Sequence, residues 1–315
     1  MKSILKSPSL VALLCLCAIC LQSCDWFKSK EATPQNACQL VSEKDGSAIT
    51  THEYNAQGKV TRTTETNGSS SSASTHTYNA NGFLTNYTKT NGSRTSSIRF
   101  EYSNGLLSSW LDQSSGSNWV TTFEYSSGQK LSKVTFQEPD GDRSVYSFSN
   151  DKLIGHIARS AAGVETQPWV IENGLVKRQN STGNNYSVNE YDAQNRRTRR
   201  ESWQNGLMQS YTTTAFDANG KNIEELNPLF LSKGWPSVKV LGAIAEYRPG
   251  LPAKETFFSR NGSVMQKLNE QIYNNALNPR GFPLLVSITN TNFSSTGAVT
   301  GTANWQATYT YANCN

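Results

Sequence analysis

The chain has 315 residues, with 29 lysines and arginines against 24 aspartates and glutamates, a formal net charge of +5. Charges are spread thinly along it, and the one dense basic group, Arg196-Arg197-Thr198-Arg199-Arg200, would point to both faces of a strand, so no nucleic-acid footprint is expected.

At the N-terminus, Lys2 and Lys6 precede an apolar run from Leu10 to Leu21. The run is shorter than the roughly 20 residues that a membrane-spanning helix needs, and it has the length of a signal-peptide core. It ends in Leu21-Gln22-Ser23-Cys24, which resembles the lipobox of bacterial lipoproteins. That resemblance implies a signal peptide over residues 1–23, cleavage before Cys24, and acyl chains (palmitate among them) on Cys24. Cys15, Cys17 and Cys20 follow bulky residues inside the apolar run and do not fit the pattern. Several acyl chains on one residue anchor stably where a single chain binds only marginally. The expected address is the cell envelope, lipid-anchored. The outer membrane is favoured, and the choice between inner and outer membrane, and between periplasmic and surface faces, stays open.

Residues 24–37 are polar, contain Pro34 and read as a flexible tether. Two cysteines then remain, Cys38 and Cys314, at opposite ends of the mature chain. In an oxidising compartment an even pair so placed points to one disulfide, with two unpaired thiols as the alternative. The bond needs Cα atoms within about 7 Å, so the ends of the fold would have to meet.

From residue 38 to 315 one phrase recurs: an aromatic, then Asn, Asp or Ser, then a Gly. It appears at Tyr54, Tyr78, Tyr102, Tyr125, Phe148, Ile171, Tyr191, Phe216, Tyr247 and Tyr273, mostly 20 to 25 residues apart. A fixed period of this length marks a repeat architecture. Each unit reads as a β-hairpin: the aromatic favours a strand, Asn or Asp bonds back to the backbone, and Gly supplies positive φ. A second Gly turn, such as Asn67-Gly68 or Asn91-Gly92, closes each unit. Residues two before the aromatic (His52, His76, Phe100 and Phe123) should line up with the tyrosines on one face. The histidines are therefore expected to be packing residues and not metal ligands. Apolar residues follow at both the sixth and ninth positions, as with Leu131 and Val134, which have opposite parity. Either a bulge intervenes or both faces are covered.

The expected fold is all-β: one long antiparallel meander of about ten hairpins, curled into a flattened barrel or two-layer shell, with helix only in the signal peptide. An apolar, proline-rich stretch from Asn227 to Pro252 reads as an elongated hairpin or lid over part of the sheet. A membrane-spanning barrel would need a lipid-facing apolar residue at every second position. Thr85-Asn86-Tyr87-Thr88-Lys89-Thr90 has none of this pattern.

The phrase resembles the YD repeats of RHS and teneurin-type proteins, best in Tyr191-Asp192-Ala193-Gln194-Asn195 and Phe216-Asp217-Ala218-Asn219-Gly220. With the lipobox, it is similar to uncharacterised YD-like lipoproteins of Gram-negative bacteria. No toxin domain follows the repeats, so a toxin-enclosing shell is not implied.

No catalytic constellation stands out. Glu138-Pro139-Asp140-Gly141-Asp142 lacks the rest of a calcium loop and needs no ion to turn. Glu224 and Glu225 face opposite ways on a strand, a poor pair for glycoside hydrolysis. No metal or cofactor is expected. Trp110, Trp119 and Trp235 are the candidates for stacking on a ligand. The chain reads as a monomeric, non-enzymatic scaffold, held to a membrane by N-terminal acyl chains and presenting a surface to a protein or glycan. The alternatives are an envelope or polysaccharide glycoside hydrolase, and a remnant of an RHS-type export or toxin system.

Overall fold

A computed structural model describes residues 38–114, 117–181, 184–221, 233–236 and 250–314. Its strands are β1 (Gln39–Asp45), β2 (Ala48–Tyr54), β3 (Val60–Asn67), β4 (Ser70–Tyr78), β5 (Leu84–Asn91), β6 (Arg94–Ser103) and β7 (Leu106–Asp112). Next come β8 (Trp119–Tyr125), β9 (Leu131–Gln137), β10 (Arg143–Ser149), β11 (Lys152–Arg159), β12 (Glu165–Thr166), β13 (Trp169–Glu172) and β14 (Leu175–Asn180). The last seven are β15 (Tyr186–Tyr191), β16 (Arg197–Gln204), β17 (Leu207–Phe216), β18 (Pro252–Asn261), β19 (Val264–Leu277), β20 (Pro283–Phe293) and β21 (Val299–Ala312). No helix occurs among the described residues, and Cys24 with the rest of residues 1–37 lies outside them.

The repeated phrase builds one rim of the sheet. In the first unit the Asn55 side-chain oxygen accepts from the amides of Gln57 and Lys59, and Gly58 takes φ 71°. Asn79, Asp192 and Asn278 cap their turns in the same way. This is why the position calls for a short side chain bearing an oxygen. The opposite rim includes two-residue turns such as Asn205-Gly206, both at positive φ.

A β-bulge adjoins the turn of each repeated phrase, and it resolves the parity conflict. Glu124 pairs with Lys133 while Tyr125 pairs with Leu131, so Ser132 is the extra residue and Leu131 and Val134 share a face. The same slip occurs at Tyr54, Tyr78 and Tyr102. Each of these tyrosines then reaches back one unit: Tyr78 donates to the carbonyl of Val60, Tyr102 to that of Leu84, and Tyr125 to that of Leu107. In each case the acceptor is the residue opposite the previous repeat's tyrosine. The phenol is therefore a link between units, which explains why Tyr recurs where Phe would fill the same space.

Consecutive strands pair antiparallel, and β21 pairs with β1, so the first and last strands lie side by side. The expected disulfide joins Cys38 to Cys314 across this junction, with Cα atoms 4.4 Å apart. The ladder is interrupted between β12 and β13, so the curled sheet is not closed by hydrogen bonds. At that seam the rings of Tyr146 and His156 stack 4.3 Å apart, and Trp169 lies 4.4 Å from His156.

Alternation places the core on one face, the inside of the curl. Leu84, Leu107, Leu153, Val60 and Val134 are fully enclosed, each contributing about 1.5–3 kcal/mol by burial. His76, Phe100 and Phe123 line up there as expected, with His52 half-buried. The outer face carries no apolar band on β4 (Ser71, Ala73, Thr75, Thr77) or on β21 (Thr302, Asn304, Gln306, Thr308, Thr310).

Two assignments change. The last full unit is not centred on Tyr273: Leu277 holds the aromatic's place, opposite Pro283 across the bulge, with Asn278 capping the turn. Phe216 pairs directly with Pro252, so residues 217–251 are an insertion within one turn. Tyr247 and most of the expected lid lie outside the described residues. Lys233–Pro236 are described, and there Gly234 packs against the β6–β7 turn, its carbonyl accepting from the Leu107 amide. A Cβ on Gly234 would stand 2.4 Å from the Gly105 carbonyl oxygen, so only glycine allows this approach.

Candidate functional site

Two of the three tryptophans singled out by sequence are core residues. Trp110 is 3% exposed and Trp235 8%. Their rings stack 5.9 Å apart, Phe100 and Phe123 pack against them, and the Trp235 indole donates to Tyr102. Their faces are taken up by protein, which is a packing role and not ligand stacking. Trp119 is half-buried on the same face, opposite Asp112. The arginine cluster is not a basic patch: Arg197 is buried, and Arg196 pairs with Asp192 at 2.7 Å over the Phe216 ring.

The strongest polar grouping on the core face lies elsewhere, across β17–β21. Here the register sets Glu255, Gln271, Tyr273 and Asn275 side by side where the other half of the sheet carries Leu and Phe. Glu255 accepts from Thr214 at 3.1 Å and from the Tyr273 hydroxyl at 2.9 Å. The same hydroxyl lies 2.6 Å from Gln271 Oε1, so two acceptors share one phenol proton. One strand turn further out, the Asn269 amide serves both Asn290 and Asn292. Asn275 Oδ1 is buried and has no hydrogen-bond partner. Glu255 and the Gln271 and Asn275 oxygens make this an acceptor-rich grouping, the kind that hydroxyl donors complement.

Next to this network, Tyr273, Ile288 and Trp305 form one row across β19, β20 and β21. Trp305 keeps partial exposure, and Phe257, on the same face, is 37% exposed. Further along β21, Tyr309 stands opposite Glu43, and Ala307 opposite Asp45. Burial raises the Glu43 carboxyl above the usual range, the Asp45 charge adds to this, and a hydrogen bond from Tyr309 works against it. Among the described residues no group of three or more His, Cys, Asp or Glu is placed to hold a metal ion.

Sequence reasoning missed this face because it joins residues of β18, β19 and β20 through a cross-strand register that the sequence does not state. The density of Asn and Gln from 266 to 292 was the available signal.

Among solved structures, the chain is similar to a porin-like protein from Bacteroides uniformis ATCC 8492, with 15% identity, 90% of this chain and 98% of that one covered, and a TM-score of 0.41. A porin-like protein from Bacteroides vulgatus ATCC 8482 gives 10% identity, 87% and 99% coverage, and a TM-score of 0.30. The crystal structure of TcdB2-TccC3-TEV gives 10% identity and a TM-score of 0.29, covering 84% of this chain and 16% of that one. No curated protein matches the chain in sequence. The RHS Repeat family matches residues 54–94, the stretch spanning the first two tyrosine turns. That stretch is therefore an RHS-type repeat, and the tyrosine-linked hairpins around it are built in the same way.

Proposed function

We propose that this β-repeat scaffold is a non-enzymatic envelope lipoprotein, anchored through acylated Cys24, whose inner C-terminal face binds a glycan. The observation that carries the reading is the acceptor-rich network of Glu255, Gln271, Tyr273, Asn275, Asn290 and Asn292 beside the Trp305 ring. Sugars supply many hydroxyl donors and an apolar ring face, the two things this surface can take up.

Titrating the purified full-length protein with a panel of neutral oligosaccharides is expected to change Trp305 fluorescence. Gln271→Ala and Trp305→Ala should each weaken binding about tenfold, the loss of roughly 1.4 kcal/mol. A panel that leaves calorimetry and fluorescence flat removes the glycan reading. The anchor is tested separately: radiolabelled palmitate should enter the wild type and not Cys24→Ala.

A hydrolytic second reading centres on Glu43, whose raised pKa and neighbour Asp45 fit a general acid beside a carboxylate. Release of reducing ends that disappears in Glu43→Gln would favour it over pure binding.

A further inference from the structure

The strand register leaves one long edge free. β20 pairs with β21 from Thr308 out to Val299, but β1 reaches only from Ala312 to Ala307 before turning back at Gly46. Val299–Gln306 therefore has no partner strand on its β1 side among the described residues. These eight residues span about 26 Å, and half of their N–H and C=O groups point away from β20. Such an edge is a template for another strand.

The edges at the β12/β13 interruption are guarded. β12 has only two residues, and Gln167-Pro168 joins it to β13. The β21 edge reads Val-Thr-Gly-Thr-Ala-Asn-Trp-Gln, with neither a charge nor a proline to discourage pairing.

We infer that this edge receives an extended segment of a partner protein as an added strand, antiparallel to β21 and in line with β1. Charge narrows the partner's chemistry. Among the described residues, the edge Val299–Gln306 itself offers no charge for a charged side chain to meet. At its near end Glu43 and Asp45 lie on the core face, and neither is in an ion pair among the described residues. The incoming strand is therefore uncharged along its length, with a basic residue at its N-terminal end, where it passes Asp45.

A second copy of the chain fits poorly. Antiparallel self-pairing about Thr302 or Ala303 would bring Gly297 and Ala298, and no basic residue, to the Asp45 end of the edge.

The test is amide hydrogen exchange on the full-length protein in detergent micelles, with and without a synthetic octapeptide of one N-terminal lysine followed by alternating threonine and valine. The amides of Val299–Gln306 that point away from β20 are expected to exchange rapidly in the free protein and to slow about tenfold at saturating peptide. Thr302→Pro, and independently Thr302→Lys, should abolish the protection while leaving the melting temperature of this exposed position's protein unchanged. Asp45→Asn should weaken the peptide severalfold. The inference is overturned if these amides are already protected in the free protein, if the protein sediments as an edge-protected dimer, or if both Thr302 variants bind the peptide normally. Failure of palmitate labelling at Cys24 would remove the anchor reading alone, since the exchange experiment does not depend on acylation.

Discussion

The arc from β2 to β14 and the arc from β15 to β21 are built from the same hairpins, turns and bulges, yet they fill their inner faces differently. In the first, Leu84, Leu107, Phe100, Trp110, Phe123, Val134 and Tyr146 form one continuous cluster that Trp235 reaches across to join. In the second, the corresponding positions hold Asn189, Thr214, Glu255 and Asn275, and Phe282 near the rim joins Leu40 of β1 in a small cluster by the disulfide. The rings move outward instead: Tyr211 stacks on Phe258 with Arg199 over it, and Tyr186 stacks on Trp203 with Arg178 over it. Backbone pairing and turn chemistry thus suffice to define the ribbon, leaving the inner face of one arc free for polar chemistry.

Acid should separate the arcs most strongly. His52, His76 and His156 all lie in the first arc, and burial lowers each to about 4. The folded state holds them neutral, so their contribution is complete above the unfolded pKa of about 6.5 and is lost as pH falls from there toward 4. Each shift corresponds to on the order of 2–3 kcal/mol. Denaturant titrations between pH 7 and pH 4 should show this loss, and His76→Phe or His156→Phe should flatten it. A pH slope unchanged by both variants would remove the difference.

Truncating an inner-face tryptophan sharpens the contrast. Trp110→Ala should cost about 4 kcal/mol, while Trp305→Ala, in the half-exposed row of the second arc, should cost about 1 kcal/mol. Equal losses in urea would mean that the second arc is as tightly packed as the first. Where the arcs meet, the Cys38–Cys314 bond closes a separation of 276 residues. Cys314→Ser should lower stability by about 3 kcal/mol under oxidising conditions, and adding reductant to the wild type should reproduce the effect. The smallest change is Tyr78→Phe, which leaves the Val60 carbonyl without its phenol donor and should cost about 1 kcal/mol.

Much of the ribbon was legible because its signals are local. An oxygen-bearing side chain after the aromatic and a Gly three or four places on dictate a turn wherever they occur, and the terminal cysteines foretold that the ends meet. Three features were hidden. The unit at Leu277 lacks an aromatic, and Tyr273-Asn274-Asn275 offered a false start four residues early. The polar grouping of Glu255 with Gln271 and Tyr273 depends on which residue of β18 lies opposite which residue of β19, a register that alternation along one strand does not carry. The long-range packing of Gly234 and Trp235 against β6 and β7 depends on contacts more than a hundred residues apart, for which local propensity carries no information.

Where a tyrosine hangs on a carbonyl presented by the unit before it, the unit ends in a plug and begins with a socket of one standard form. Duplicating or deleting such a unit would leave those joints intact while altering the girth of the whole. The cystine clasp is what then holds the two ends of that girth against each other.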